Sequence, residues 1–145
     1  MDKEKFIGAW KLISTDYQTE DGEVIYPFGR EVVGQLMYDG KQSMAAQIIK
    51  ANRPDFASGD WLKGTPEEIK AAFEGFRSYF GTYDVDEEKK MITHHVKGSS
   101  FPNWMSGEID NARYYEFSGN RLTLRTAPLL MAGKQVIGRL VWEKL

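Results

Sequence analysis

Three short connections with turn chemistry, each set between runs of strand-forming residues, constrain this chain more than any other feature. Asp39-Gly40 joins residues 32–38 to residues 42–49, the charged stretch 86–90 joins 79–85 to 91–97, and Ser118-Gly119-Asn120 joins 112–117 to 121–126. Asp-Gly accommodates the positive φ angles of the tight turns that match strand twist. Parallel strands would need crossovers of a dozen residues or more, so these hairpins demand an antiparallel meander. Adding residues 7–17 and 135–144 brings the count to eight strand-like runs. Eight is the number at which a closed barrel fills with side chains or holds one small ligand, and closure removes the exposed edges. The expectation is therefore all-β: one antiparallel barrel domain over residues 1–145, with eight strands and up to ten if weaker segments join. A two-sheet sandwich would need long sheet-switching connections, and the hairpin run offers few.

One segment breaks the strand pattern. Thr65 reads as an N-cap, Pro66 suits the first helical position, and Glu67 and Glu68 favour the positive end of the helix dipole. Ile69, Phe73 and Phe76 recur at helical spacing, which predicts a helix over 65–77, ending by residue 79, with one apolar stripe to bury. With the polar-aromatic loop 52–61, it makes an insertion that caps one barrel end or forms a dimer contact. In the first strand, simple alternation puts Trp10, Leu12 and Ser14 on one face.

Composition narrows the function classes. The formal net charge is −2 and no Lys/Arg cluster stands out, which argues against a nucleic-acid partner. There is no cysteine for disulfide or thiolate chemistry. No stretch approaches the ~20 apolar residues of a membrane span, and no signal-like segment follows the charged N-terminus, so a cytoplasmic protein without a membrane partner is expected. No nucleophile elbow, phosphate loop or dinucleotide fingerprint is present, and no cofactor is expected. Eight Phe, seven Tyr and four Trp supply aromatic surface for a pocket or a core.

The Gly8-Ala9-Trp10 opening and the closing strand Gly138-Arg139-Leu140-Val141-Trp142-Glu143-Lys144 look like the paired ends of a lipocalin barrel. Between them come Gly34-Gln35-Leu36-Met37-Tyr38-Asp39-Gly40-Lys41, Ser78-Tyr79-Phe80-Gly81-Thr82-Tyr83-Asp84-Val85, Thr93-His94-His95-Val96, Phe101-Pro102-Asn103-Trp104 and Arg121-Leu122-Thr123-Leu124. In this order the set closely resembles the lipocalin-like domain family over nearly the whole chain. The resemblance implies a short lipocalin-type barrel with one inserted helix. It also brings in secondary-metabolite chemistry, where cyclisation or isomerisation of an apolar intermediate is one role for such a barrel. A fold does not choose among these roles.

His94 and His95 are the only histidines, and neighbours on a strand face opposite sides. His94 shares a face with Ile92 and Val96 and is assigned inward. It is either an acid/base group in a pocket or an interior histidine satisfied by a Tyr or Glu. Two histidines on opposite faces cannot share one ion, so no metal site is expected. Arg113 shares a face with Tyr115 and Phe117. Turned inward, its planar fork could hold a ligand carboxylate or enolate; turned outward, it would pair with an acid such as Asp84 or Glu143. If Tyr114 and Glu116 face inward instead, Glu116 becomes a partner for His94. Tyr38, Met44, Tyr83, Trp104 and Tyr115 are candidate pocket-lining residues, and all but the loop residue Trp104 suit a dry core equally well.

Three functions follow: a module that binds a small, largely apolar molecule; a cofactor-free isomerase, cyclase or dehydratase acting on a small apolar or polyketide-like metabolite with His94 as acid/base; or a homodimeric interaction domain using the Trp61 or Trp104 loops.

Overall fold

A computed structural model describes residues 1–105 and 109–145, the side chains of residues 109 and 110 excepted. The strands are β1 (Gly8–Thr19), β2 (Val24–Ile25), β3 (Val32–Tyr38), β4 (Ser43–Lys50), β5 (Phe76–Asp86), β6 (Met91–Ser99), β7 (Ile109–Ser118), β8 (Arg121–Thr126), β9 (Leu129–Met131) and β10 (Lys134–Lys144). Every pairing is antiparallel, in the order β2-β1-β3-β4-β5-β6-β7-β8-β10-β9. Pairing of β1 with β10 closes eight of them into the expected barrel, and β2 and β9 flank it as short additions. Among the described residues, no helix is long and apolar enough to cross a membrane.

Two irregularities set which side chains face inward. The β1–β10 register shifts between Leu12 and Ser14, so Trp10 and Leu12 point in before the shift and Thr15, Tyr17 and Thr19 after it. Ser14 therefore leaves the Trp10 face, because one extra residue inverts a period-two pattern. A second shift follows Phe80 on β5, where Gly81 lies against the β6 backbone; a Cβ there would sit 1.9 Å from the His95 carbonyl oxygen. The closeness of that approach requires glycine.

The barrel ends differ. A short N-terminal helix, α1 (Asp2–Phe6), lies across one end and drives the fully buried Phe6 between Tyr38, Tyr115 and Phe117, with ring centroids 5.4, 4.9 and 4.9 Å away. The Trp10 indole N–H donates to the Phe6 carbonyl at 2.8 Å, and the Tyr115 hydroxyl donates to Asp2 at 2.8 Å. The Lys90 ammonium, 2.6 Å from Asp2, and then the Tyr115 hydroxyl hold that carboxyl down at about 2. Nothing in the sequence pattern announced α1, because five residues carry too little periodicity to read.

The inserted helix α2 (Pro66–Glu74) begins as its sequence indicates. The Thr65 hydroxyl accepts from the Glu68 N–H at 3.1 Å and the Glu68 carboxylate accepts from the Thr65 N–H at 2.8 Å. It ends earlier than 77, and the expected stripe is not buried: Ile69 and Phe73 are about half exposed and no α2 residue is buried. Phe76 belongs to β5, where it pairs with Ile49 of β4. A strand ladder continuing to Asp86 satisfies more backbone groups than one further helical turn.

Candidate functional site

The far end of the barrel is open. The start of β5, the β2–β3 connection, Phe101 and the β9–β10 turn surround a depression of about 620 Å³. Its walls include Ile25, Tyr26, Phe28, Phe73, Phe76 and Phe101, with Glu74 at the rim. That volume lies in the range of small-molecule sites. Behind it, inside the barrel, free space narrows to about 20 Å³, room for a single water or one small polar group. Arg77 lines both spaces and so stands between them.

The inner space is framed by Tyr17, Tyr79, His94, Trp104, Arg113 and Trp142, with leucines and Ile48 between them. Alternation along β5 sends Arg77, Tyr79 and Tyr83 inward, as it sends His94 on β6 and Arg113 on β7. Trp104 comes from a single 3-10 turn (Pro102–Trp104). It stacks edge-on to Tyr79 at 5.3 Å and lies 4.7 Å from the Arg77 guanidinium.

His94 is completely buried. The Tyr38 hydroxyl lies 2.6 Å from its Nε2 and the Tyr79 hydroxyl 2.9 Å from its Nδ1. A neutral imidazole has one N–H and one lone pair, so one tyrosine donates to the ring and the other accepts from it. Burial, and then the Arg113 charge, press the His94 pKa well below that of a free imidazole; burial pushes the Tyr38 phenol well up. The three groups form a neutral hydrogen-bonded chain. His95, on the other face, lies 2.7 Å from Asp84, and Glu116 is exposed and paired with Arg125, which leaves it no part in the His94 chain.

Arg113 is 8% exposed and faces the inner space, and among the described residues it has neither an ion pair nor a hydrogen bond. Arg77, partly buried, lies over the faces of Phe101 and Trp104 without an ion pair or hydrogen bond among the described residues, and burial lowers its pKa. Strand arginines on the outside behave differently: Arg121 pairs with Glu143, Arg125 with Glu116 and Arg139 with Asp16. The Trp142 indole N–H, buried beside the inner space, is likewise without a partner among the described residues.

Of the residues singled out from the sequence, His94, Arg113 and Trp104 meet at the inner space, and Tyr38 joins them through His94. Met44, Tyr83 and Tyr115 lie elsewhere. Tyr83 packs against Tyr38 at 4.7 Å and donates to the Asp39 carbonyl at 2.6 Å, while Tyr115 packs on Phe6 at the plugged end. Arg77, Tyr79 and Tyr17 escaped notice. Running the alternation back from Tyr83 through Gly81 would have found the first two; the β1 register shift hides the third.

A relative from Aspergillus oryzae (strain ATCC 42149 / RIB 40), named 4'-hydroxy-3'-methoxypropiophenone carrier protein, is 29% identical over 109 residues, which cover 70% of this chain and 96% of the relative. Among solved structures, a lipocalin-like protein from Bacteroides uniformis ATCC 8492 is 16% identical with a TM-score of 0.45. The alignment covers 97% of this chain and 99% of that one. A protein from Bacteroides eggerthii DSM 20697 is also 16% identical, with the same coverage and a TM-score of 0.43. Residues 7–145 match the profile of the lipocalin-like domain, and with that match over nearly its whole length the chain belongs to the lipocalin-like domain family.

Proposed function

We propose that this protein binds one small, largely aromatic molecule at the open end of the barrel, as a binding or carrier protein. The observation that carries the reading is the 620 Å³ aromatic depression that meets the barrel interior at Arg77. The inner space of about 20 Å³ admits only the tip of a ligand, so the body rests among Phe28, Phe73, Phe76 and Phe101. A relative named as a carrier of a substituted aromatic ketone supports the same class of role.

The neutral fluorophore N-phenyl-1-naphthylamine tests this. Saturable fluorescence enhancement is expected, and Phe73→Asp should weaken it roughly fivefold, the effect of losing about 1 kcal/mol of apolar contact. Phe73 lies on exposed α2, so the variant should keep its fold. Absence of saturable binding to the wild-type protein would overturn the reading.

A further inference from the structure

A barrel interior that held only apolar guests would have no use for unpaired cations. Three observations point to something more specific. Arg113 is buried and carries its charge into the inner space without a counterion among the described residues. Arg77, the second cation of that space, has the faces of Phe101 and Trp104 against its guanidinium and no ion pair among the described residues, and the two positive charges disfavour each other. The Trp142 N–H adds an orphaned buried donor to the same wall.

The other polar groups there do not answer these charges. Tyr79 and His94 are occupied with each other, the Thr126 hydroxyl accepts the Gly138 N–H at 2.8 Å, and the Tyr17 phenol, near both guanidiniums, is pushed up by burial and brings no negative charge. No described lining residue of the inner space is acidic. Glu74, the acid among the described residues lining the outer depression, has Lys70 3.9 Å away. A chain with a net charge of −2 thus sets two cations against this space with no acid paired to either among the described residues. A buried charge without a partner is costly, and guanidinium forks match carboxylate geometry.

We propose that the ligand is an aromatic monoanion whose carboxylate is received by Arg77 and Arg113, with its ring system in the open depression. This rests on the ligand-binding reading above and adds the charge of the ligand to it. The dimensions agree, since the inner space accepts one small polar group and the outer depression accepts a bicyclic ring system.

The test compares 2-naphthoate with its neutral isostere 2-naphthamide by calorimetric titration at neutral pH. The carboxylate should bind the wild-type protein at least tenfold more tightly, the equivalent of about 1.4 kcal/mol. Arg113→Met should remove most of that preference, weakening the carboxylate far more than the amide. Replacing a buried cation by an apolar side chain of similar length is often well tolerated. Arg77→Met, at a partly exposed position, offers a second variant with the same expected loss of preference. Equal or tighter binding of the amide to the wild-type protein overturns the proposal yet leaves the binding function intact. If N-phenyl-1-naphthylamine and both naphthalene probes all fail to bind, both readings fall. A preference that survives both arginine substitutions places the anion elsewhere and also overturns it.

Discussion

His94 makes stability depend on pH in a direction the structure determines. Its imidazole is fully buried, bonded at both nitrogens by tyrosine hydroxyls, and faced by the Arg113 guanidinium. Burial first, and then that positive charge, depress its pKa in the folded protein. In the unfolded chain the same ring titrates near its ordinary value of about 6.5. Below that value the unfolded state takes up a proton that the folded state refuses. Stability contributed by neutral His94 is therefore complete above about pH 6.5 and declines as pH falls toward the depressed folded value.

Each pH unit inside that window costs up to about 1.4 kcal/mol, so acidifying from about 6.5 to about 5 removes up to roughly 2 kcal/mol. That is a sizeable part of the stability of a small domain. Urea unfolding followed by tryptophan fluorescence, across about pH 5 to 7.5 for wild type and His94→Gln, isolates the effect. The carboxyls of Asp2, Asp21 and Glu68 are all depressed, and they act below the range of free carboxylates. Wild type should lose stability more steeply than the variant below about pH 6.5 and run parallel to it above. Parallel curves throughout would refute the reasoning. If the variant folds poorly, the ring proton shifts of His94 in wild-type protein read the same property and should stay constant while those of a free histidine titrate.

Tyr38→Phe leaves one His94 nitrogen buried without its partner and should cost about 1 to 3 kcal/mol in urea unfolding. The double variant with Tyr79→Phe should depart from additivity, because both hydroxyls serve one ring. Phe6→Ala, which empties the plug of the closed end, should cost about 3 to 5 kcal/mol by the same assay. Two glycine replacements should differ for stated reasons. Gly81→Ala drives a Cβ into the His95 carbonyl and should cost about 3 kcal/mol or more, whereas Gly119→Ala, at φ 60° in open space, should cost about 1 kcal/mol.

The eight barrel strands were legible because each hairpin carries its own turn chemistry and each strand its own alternation, both local signals. His94 was legible for the same reason, since two adjacent histidines on a strand must part to opposite faces. The parts that were not legible depend on pairings across the sheet. Ser14 and Tyr17 exchange expected faces because a residue inserted opposite β10 inverts the alternation, and only the partner strand defines it. Arg77 looked helical because α2 and β5 are almost contiguous in sequence, and ladder pairing with β4 decides where one stops. Phe6 gains its role from rings contributed by β3 and β7, more than thirty residues away by number. Tyr38, Tyr83 and Tyr115 read alike from the sequence, yet only Tyr38 reaches His94, because depth along the barrel axis is not written in the alternation.

The same geometry bears on whether the interior works by holding or by transforming. An acid/base group must meet its substrate through a free nitrogen or hydroxyl. Both His94 nitrogens are taken, by Tyr38 on one side and Tyr79 on the other, so a proton passing between ring and ligand would have to travel through a tyrosine hydroxyl. Of the two tyrosines, Tyr79 is the one that lines the inner space, together with His94, Trp104 and Arg113. Any isomerase or cyclase chemistry would thus be led by Tyr79, with neutral His94 behind it as a positioning residue. Arg113 and Arg77, by contrast, make no hydrogen bond or ion pair among the described residues. Such donors need only a complementary acceptor to act, whereas direct acid/base action by His94 would need its ring freed from one of the two tyrosines.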